Sequence, residues 1–486
     1  CGEAVTVCAT ATAVAPGSGT PTGTITFTGP GGLNATLTLD ASGTACLTTS
    51  SLTGGTYLAT YNGDSCFAGS DAPFDVTVNQ AASTTTVSVE PDPSVCGEAV
   101  TVCATVTAVA PGSGTPTGTI TFTGAGGLNE TVPLDADGTA CVTTTALETG
   151  TVTVTYSGDT CFLPSTGSLD VTVNQASSTV SVTVDPDPSV CGQTATVCAT
   201  VTAIAPGSGT PTGTITFTGA GLNTTVPLNA SGTACVTTTT LETGTITAVY
   251  NGDGCFSSST GTAPATVNQA SSTVSVTVDP NPSVCGQTAT VCATVTAIAP
   301  GSGTPTGTIT FTGAGGLNVT LTLDASGTAC LTTSSLTGGT YSATYNGDSC
   351  FAGSDAPFDV TVNQAASTTA VSVSPNPSVC GQTATVCATV TAVAPGSGTP
   401  TGTVTFTGAG LNTTVPLNAS GTACVTTSSL TNGTVTAVYN GNACLSSSTG
   451  TAPVTVNQAA STTTVSVSPN PSVCGQTATV CATVTA

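Results

Sequence analysis

PSVCGQTATVCATVTA occurs at 188–203, 282–297, 377–392 and 471–486, unchanged each time. A close variant, PSVCGEAVTVCATVTA, fills 93–108, and the chain opens inside the same motif with CGEAVTVCATATA. In the 93–108 copy, Val100, Val102, Ala104 and Val106 alternate with Thr101, Cys103, Thr105 and Thr107. A period of two predicts a half-buried β-strand. Each copy also carries two cysteines seven residues apart. The first cysteines are Cys1, Cys96, Cys191, Cys285, Cys380 and Cys474, spaced by 95, 95, 94, 95 and 94 residues. So regular a period is the signature of one folded unit repeated in tandem.

Residues 81–175 show the pattern of the unit. TTTVSVEPDPS (84–94) alternates and then breaks at Pro91 and Pro93, which predicts a first strand, A, ending in a proline turn. The decisive motif is strand B. APGSGTPTG (110–118) is a loop by its Gly and Pro content, and TITFT (119–123) is strand C with Ile120 and Phe122 inward. AGGLN (125–129) is a second loop, and the third and fifth copies lose one Gly there, as an exposed turn allows. ETVPL (130–134) is strand D, TACVTTTAL (139–147) strand E, TVTVTY (151–156) strand F and LDVTVN (169–174) strand G. SGDTCFLPSTG (157–167) reads as the F–G loop. Thr, Val and Gly dominate and are poor helix formers, so no helix is expected.

Seven short strands with frequent turns predict an all-β fold: a linear tandem array of Ig-like seven-stranded antiparallel β-sandwiches. The expected repeats are 1–80 (lacking strand A), 81–175, 176–269, 270–364 and 365–458, followed by a partial repeat, 459–486. The chain has no Met and starts and stops inside the strand-B motif, which reads as a piece of a longer polypeptide.

Composition excludes several functions. There is no Lys, Arg or His, and 23 acidic residues give a net charge of −23. Side-chain salt bridges are impossible. Phosphate recognition lacks its cations, so no nucleic acid is expected as a partner, and a polybasic membrane contact is excluded likewise. No apolar run reaches the ~18 residues of a membrane span. The acids are too sparse for a disordered acidic tail. The 22 cysteines fall in phase, four to a repeat, which implies a disulfide framework from an oxidising compartment, hence an extracellular or cell-surface location. Zinc fits poorly, because spacings of 7, 38 and 20 in the first repeat put the thiols on different strands.

GTPTGTITFTG (19–29), GTACLTTSSL (43–52) and YNGDSCFAGS (61–70), in that order, resemble the bacterial Ig-like tandem-repeat domains of large prokaryotic cell-surface proteins and adhesin stalks. The resemblance covers the whole chain. It implies rods and spacers, with any binding activity at an end. Two departures stand out: four cysteines per repeat, and no basic residue, which rules out Lys–Asn isopeptide cross-links. The fifth repeat also differs, with Asn442 and Leu445 where the other copies have Asp and Phe.

Catalysis is not expected, because a nucleophilic Cys or Ser has no His to act as base. Asp71 with Asp75, and Asp355 with Asp359, are the nearest carboxylate pairs, but they read as members of a solvated loop in two repeats only. No cofactor is implied. Calcium would be the one ion to consider, at Glu90, Asp92, Asp185, Asp187 and Asp279; later copies carry Ser374, Asn376, Ser468 and Asn470 instead. Calcium wants about six to eight oxygens, several of them charged, so this is no shared device. Sequons recur at Asn34, Asn129, Asn223, Asn318 and Asn412, with further N-x-S/T at Asn229, Asn418 and Asn432. They are candidate glycosylation sites, though the abundance of Thr makes chance matches common.

The expected function is a structural extracellular stalk or filament. The alternative is an adhesin whose repeat array binds a glycan or surface partner. The loops are Gly, Ser, Pro and Thr without clustered aromatics, which favours the stalk. A low-charge, threonine-covered surface points to self-association.

Cysteine geometry narrows the pairing. Two cysteines seven apart on one extended strand are about 23 Å apart, far beyond disulfide reach. The second and third cysteines lie on neighbouring strands B and E, giving Cys8–Cys46, Cys103–Cys141, Cys198–Cys235, Cys292–Cys330 and Cys387–Cys424. The first and fourth lie at opposite ends of a sandwich. Stacked sandwiches would then pair Cys1–Cys161, Cys96–Cys255, Cys191–Cys350 and Cys285–Cys444, leaving Cys66 and Cys380 without partners in this sequence. A bond between adjacent chains is the rival.

Overall fold

A computed structural model describes residues 1–486. The chain divides into two compact units. One comprises Cys1–Asp187, Ala195–Thr238 and Glu242–Ala265; the other comprises Pro188–Thr194, Thr239–Leu241 and Thr266–Ala486.

The second repeat, in the first unit, is the fullest example there. Strand A is Ser83–Glu90, B is Val100–Ala108, C is Thr119–Gly124, D is Asn129–Pro133, E is Thr139–Thr144, F is Gly150–Tyr156 and G is Ser165–Val171. A and E flank B in one sheet, while D, C, F and G form the other in that order. Strand D therefore pairs with C and not with E. All these pairings are antiparallel. A short parallel pair, Ser94–Val95 with Val173–Asn174, closes the bottom of the sandwich.

The alternation read from the motif is the core. Val100, Val102, Ala104 and Val106 are buried, and they face Ile120, Phe122, Val152, Val154 and Tyr156 from the other sheet. Fully burying each large apolar side chain stabilises by about 1.5–3 kcal/mol. On the outer faces threonines pair across strands. Thr121 and Thr131 hydroxyls lie 3.0 Å apart, and Thr105 and Thr139 hydroxyls 3.2 Å apart. Without salt bridges these pairs, together with Thr–Asp pairs such as Thr151 with Asp170, supply cross-strand polar contacts.

The second unit repeats the design. In the fourth repeat Val291, Val295, Ile309, Phe311, Tyr341 and Tyr345 form the core, and in the fifth Val386, Val390, Val404, Phe406 and Tyr439 do. The first repeat has no strand A: its B strand, Val5–Thr10, pairs only with Thr44–Thr49, and its buried cluster shrinks to Ile25, Phe27, Ala45, Ala59 and Tyr61. The final residues form a hairpin, Thr462–Ser468 with Thr479–Thr485.

The C–D turn explains its own length variation. In the second repeat it is a short 3-10 turn, Ala125–Gly127. One residue fewer in the third and fifth repeats leaves Ala220 and Ala409 in the left-handed region, with φ of 49° and 48°.

Strand G begins earlier than the sequence suggested. Asp71 and Asp75 thus sit on a strand, Ser70–Val76, and not in a loop. Asp71 accepts a hydrogen bond from the Thr60 hydroxyl at 2.7 Å and Asp75 one from Thr56 at 2.6 Å. Asp355 and Asp359 lie likewise on Ser354–Val360, opposite Thr344 and Thr340. Four residues along a strand separate the two carboxylates of each pair by about 13 Å, too far to share a proton.

Candidate functional site

The chemistry of this chain gathers where one repeat ends and the next begins. Each joint is built from three pieces: a foot, a linker and a loop.

The foot follows the proline turn. Val95, Cys96, Gly97 and Glu98 form a turn in which the Glu98 N–H donates to the Val95 carbonyl at 3.0 Å. Gly97 occupies its third position with φ of 76°, a value that favours glycine. The Glu98 carboxylate accepts from the Val95 N–H at 2.9 Å, and in a later copy the Gln193 amide oxygen does the same for Val190. That shared acceptor explains why Glu and Gln interchange after Cys-Gly. The turn is tied to the short strand Val173–Asn174 of its own repeat by the Cys96 N–H, which donates to the Asn174 carbonyl at 2.9 Å.

The loop belongs to the following repeat. One Asp253 oxygen accepts from the Cys255 and Phe256 N–H groups at 2.8 and 2.6 Å. The other accepts from the Thr212 N–H and hydroxyl at 2.8 and 2.6 Å. Burial pushes this carboxyl up, but the four donors together outweigh it and hold the pKa down at about 2. Asp159 and Asp348 are bonded in the same way and also sit at about 2. In the fifth repeat Asn442 takes over: its oxygen accepts from Cys444 and Leu445 at 2.8 and 2.6 Å, and its amide donates to the Thr401 hydroxyl at 2.8 Å.

The linker is a glutamine. Gln175 donates to the Asp253 carbonyl at 2.7 Å, and Gln269 and Gln364 donate to the Asp348 and Asn442 carbonyls at 2.6 Å. Sequence reasoning missed this residue, although the signal VNQA stands at each boundary.

Foot and loop meet directly. Ser208 donates its hydroxyl to the Gly97 carbonyl, and Ser397 donates to Gly286 at 2.6 Å. Cys96 is bonded to Cys255, Cys1 to Cys161, Cys191 to Cys350 and Cys285 to Cys444, with Cα atoms 5.3–5.4 Å apart. Each of these bonds lies within one compact unit. Inside the sandwiches Cys8–Cys46, Cys103–Cys141, Cys198–Cys235, Cys292–Cys330 and Cys387–Cys424 join directly opposed residues of strands B and E, 4.1 Å apart at Cα. Cys66, Cys380, Cys474 and Cys481 are free and exposed.

The other candidate residues fall elsewhere. Glu90, Asp185 and Asp279 end strand A, exposed. Asp92 accepts from the Thr172 N–H at 3.1 Å within its own repeat, and Asn281 does the same for Thr361 at 3.0 Å. An amide serves as well as a carboxylate there, which accounts for Asn281 and Asn376 without a cation, while nothing in the structure explains Ser374 and Ser468. No cluster of three or more acids and cysteines is placed to hold a metal ion. A cleft of about 510 Å³ opens at the joint between the second and third repeats, with Glu148 and Asp253 on its walls. Both Asp253 oxygens already accept two hydrogen bonds each. Asn34, Asn129, Asn223, Asn318 and Asn412 are exposed at the start of strand D, an edge strand. Asn229 and Asn418 instead cap the D–E turn, and Asn432 bonds the Val456 N–H. No helix is long and apolar enough to cross a membrane.

A family model described as bacterial Ig-like domain (group 3) matches residues 1–79, 85–174, 182–268, 276–363 and 371–457. No curated protein matches the chain. Among solved structures, a 1.5-MDa bacterial ice-binding adhesin is 21% identical, covering 59% of this chain and 100% of its own, with a TM-score of 0.21. The Escherichia coli adhesin FdeC is 20% identical over 59% of this chain and 99% of its own, with a TM-score of 0.20. The Sidekick-1 immunoglobulin domains 1–5 are 14% identical over 94% and 96%, with a TM-score of 0.26. Scores this low leave the family match as the finding that counts.

Proposed function

We propose, for a chain that belongs to the bacterial Ig-like domain (group 3) family, that it is a structural, non-enzymatic component of an extracellular stalk or filament. The observation that carries this reading is the joint. The same foot, linker and loop recur between repeats, and each joint is closed by a disulfide that spans two sandwiches. A binding module would vary its loops to meet a ligand; here the loops hold neighbours. The repeats act as folding units near 1–80, 81–175, 176–269, 270–364 and 365–458. An oxidising location outside the cytoplasm accords with eighteen bonded cysteines. Sequons on strand D are open to glycosylation, and copies are expected to associate with one another.

Two measurements test the reading. Digestion at acidic and aromatic residues without reduction, followed by mass spectrometry, should yield peptides joining Cys96 to Cys255. A Cys96–Cys161 peptide would overturn the joint. Antibody labelling of intact cells should reach the chain. The rival, an array that itself binds glycans, predicts reproducible hits for the full chain on a glycan array, where the stalk predicts none.

A further inference from the structure

The pairing of the joint cysteines has a topological result. Cys1 is bonded to Cys161, and the next joint cysteine along the backbone, Cys191, is bonded to Cys350. Two disulfides and the short segment 161–191 therefore connect Cys1 to Cys350, most of the way along the chain. The alternate joints do the same. Cys96 is bonded to Cys255, and the segment 255–285 leads on to Cys285, which is bonded to Cys444. The two routes share no residue.

Each connecting segment consists largely of strand. Residues 161–191 contain strands Ser165–Val171, Val173–Asn174, Ser178–Asp185 and Ser189–Val190. Residues 255–285 contain Ser259–Ala265, Val267–Asn268, Ser272–Asp279 and Ser283–Val284. Each is a G strand, a linker and the next A strand. Fully extended, such a segment reaches only about 100 Å, and strands stand close to that limit. Strands B to F lie on neither route. They form side loops, each pinned again by its own B–E bond.

We infer that the joint disulfides turn the array into two interleaved covalent tethers, so that tension between the chain's ends bypasses most of the residues in its sandwiches. This rests on the stalk reading, and gives that stalk a mechanical role: its extension is capped. Reduction would abolish the property without removing a single strand.

The test is force extension of the full oxidised chain held at its two ends, with the exposed thiols alkylated. The comparison is a variant in which Cys1, Cys96, Cys191, Cys285, Cys161, Cys255, Cys350 and Cys444 are all Ser, which keeps every B–E bond. Counting the residues that remain free to extend, the variant should reach about three times the limiting length of the native chain, at ~3.4 Å per residue. Native protein pulled in a dithiol reductant should reach between about four and five times the native length. Equal limiting lengths for native chain and variant, in material whose mass spectrum contains the joint peptides, would overturn the tether. So would joint cysteines found paired in any other way. A chain displayed on cells that nonetheless stretches like the variant would remove the tether and leave the stalk standing.

Discussion

Gly97 lies against the backbone of Ser208 in the next repeat, so closely that a β-carbon on it would fall 2.0 Å from the Ser208 carbonyl oxygen. The same approach recurs between Gly192 and Ser302, at 1.9 Å, and between Gly286 and Ser397, at 2.2 Å. Backbone cannot yield as a flexible side chain does. Gly97→Ala should therefore unseat the foot and prevent the Cys96–Cys255 bond in most molecules. Gly381 has a similar φ, 82°, but nothing within 4 Å of the added carbon. Gly381→Ala should cost only the conformational penalty, about 1–2 kcal/mol. Free-thiol titration and thermal unfolding of the two variants check the contrast.

Acid should loosen the F–G loops in a copy-dependent way. Asp159, Asp253 and Asp348 have folded pKa values of about 2, below the unfolded value of about 3.9. A depressed carboxylate contributes stability that is present above about pH 4 and lost as pH falls through about 2. Asn442 has no proton to gain. Asp253→Asn should cost roughly 1–2 kcal/mol at pH 7 and flatten the acid limb for its repeat. Hydrogen exchange at the Cys255 and Phe256 amides between pH 4 and 2 is the measurement. An unchanged acid limb in the variant would refute it.

Ala220 and Ala409 pay for their short turn with left-handed backbone. Ala220→Gly and Ala409→Gly should each stabilise by about 1 kcal/mol, read as a rise in denaturant midpoint with unchanged slope. Gly126→Ala, at the corresponding longer turn, should do the opposite, because its added carbon would lie 1.9 Å from the Ala146 carbonyl oxygen.

Each B–E disulfide closes a loop of 37 or 38 residues. In the chain-entropy model one such bond contributes about 4 kcal/mol. Replacing Cys103 and Cys141 together by Ser should lower the stability of the second repeat by up to that amount. The joint bonds should still form, as non-reducing peptide mapping would reveal.

Strands A, B, C, E and F were legible because period-two alternation and buried aliphatics coincide in them. Strand G was not, beyond its last residues. STGSLDV and SDAPFDV carry Ser, Gly and Pro, which read as loop. Yet G is an edge strand, where Pro73 and Pro357 are tolerated because no second neighbour needs their N–H. Gly167 is there because strand A passes so near that a β-carbon would meet the Thr85 carbonyl at 2.4 Å. The partner of strand D was equally hidden, since its sequence pattern fits C and E alike. Repetition exposed the cysteines of the joint. It could not say that the Asp of the F–G loop is an internal acceptor, because a carboxylate among Gly and Ser looks solvated until its four donors are placed around it.

Because each joint cysteine finds its partner 159 or 160 residues later, timing enters the life of this chain. Emerging from its N-terminal end, a foot has to wait, still a thiol, until almost the whole of the following repeat has appeared. Meanwhile Cys103 and Cys141, only 38 residues apart, can already have closed. The order of emergence thus lets sandwiches be sealed before they are coupled, and a machine that oxidised thiols strictly in order of appearance would couple the wrong ones.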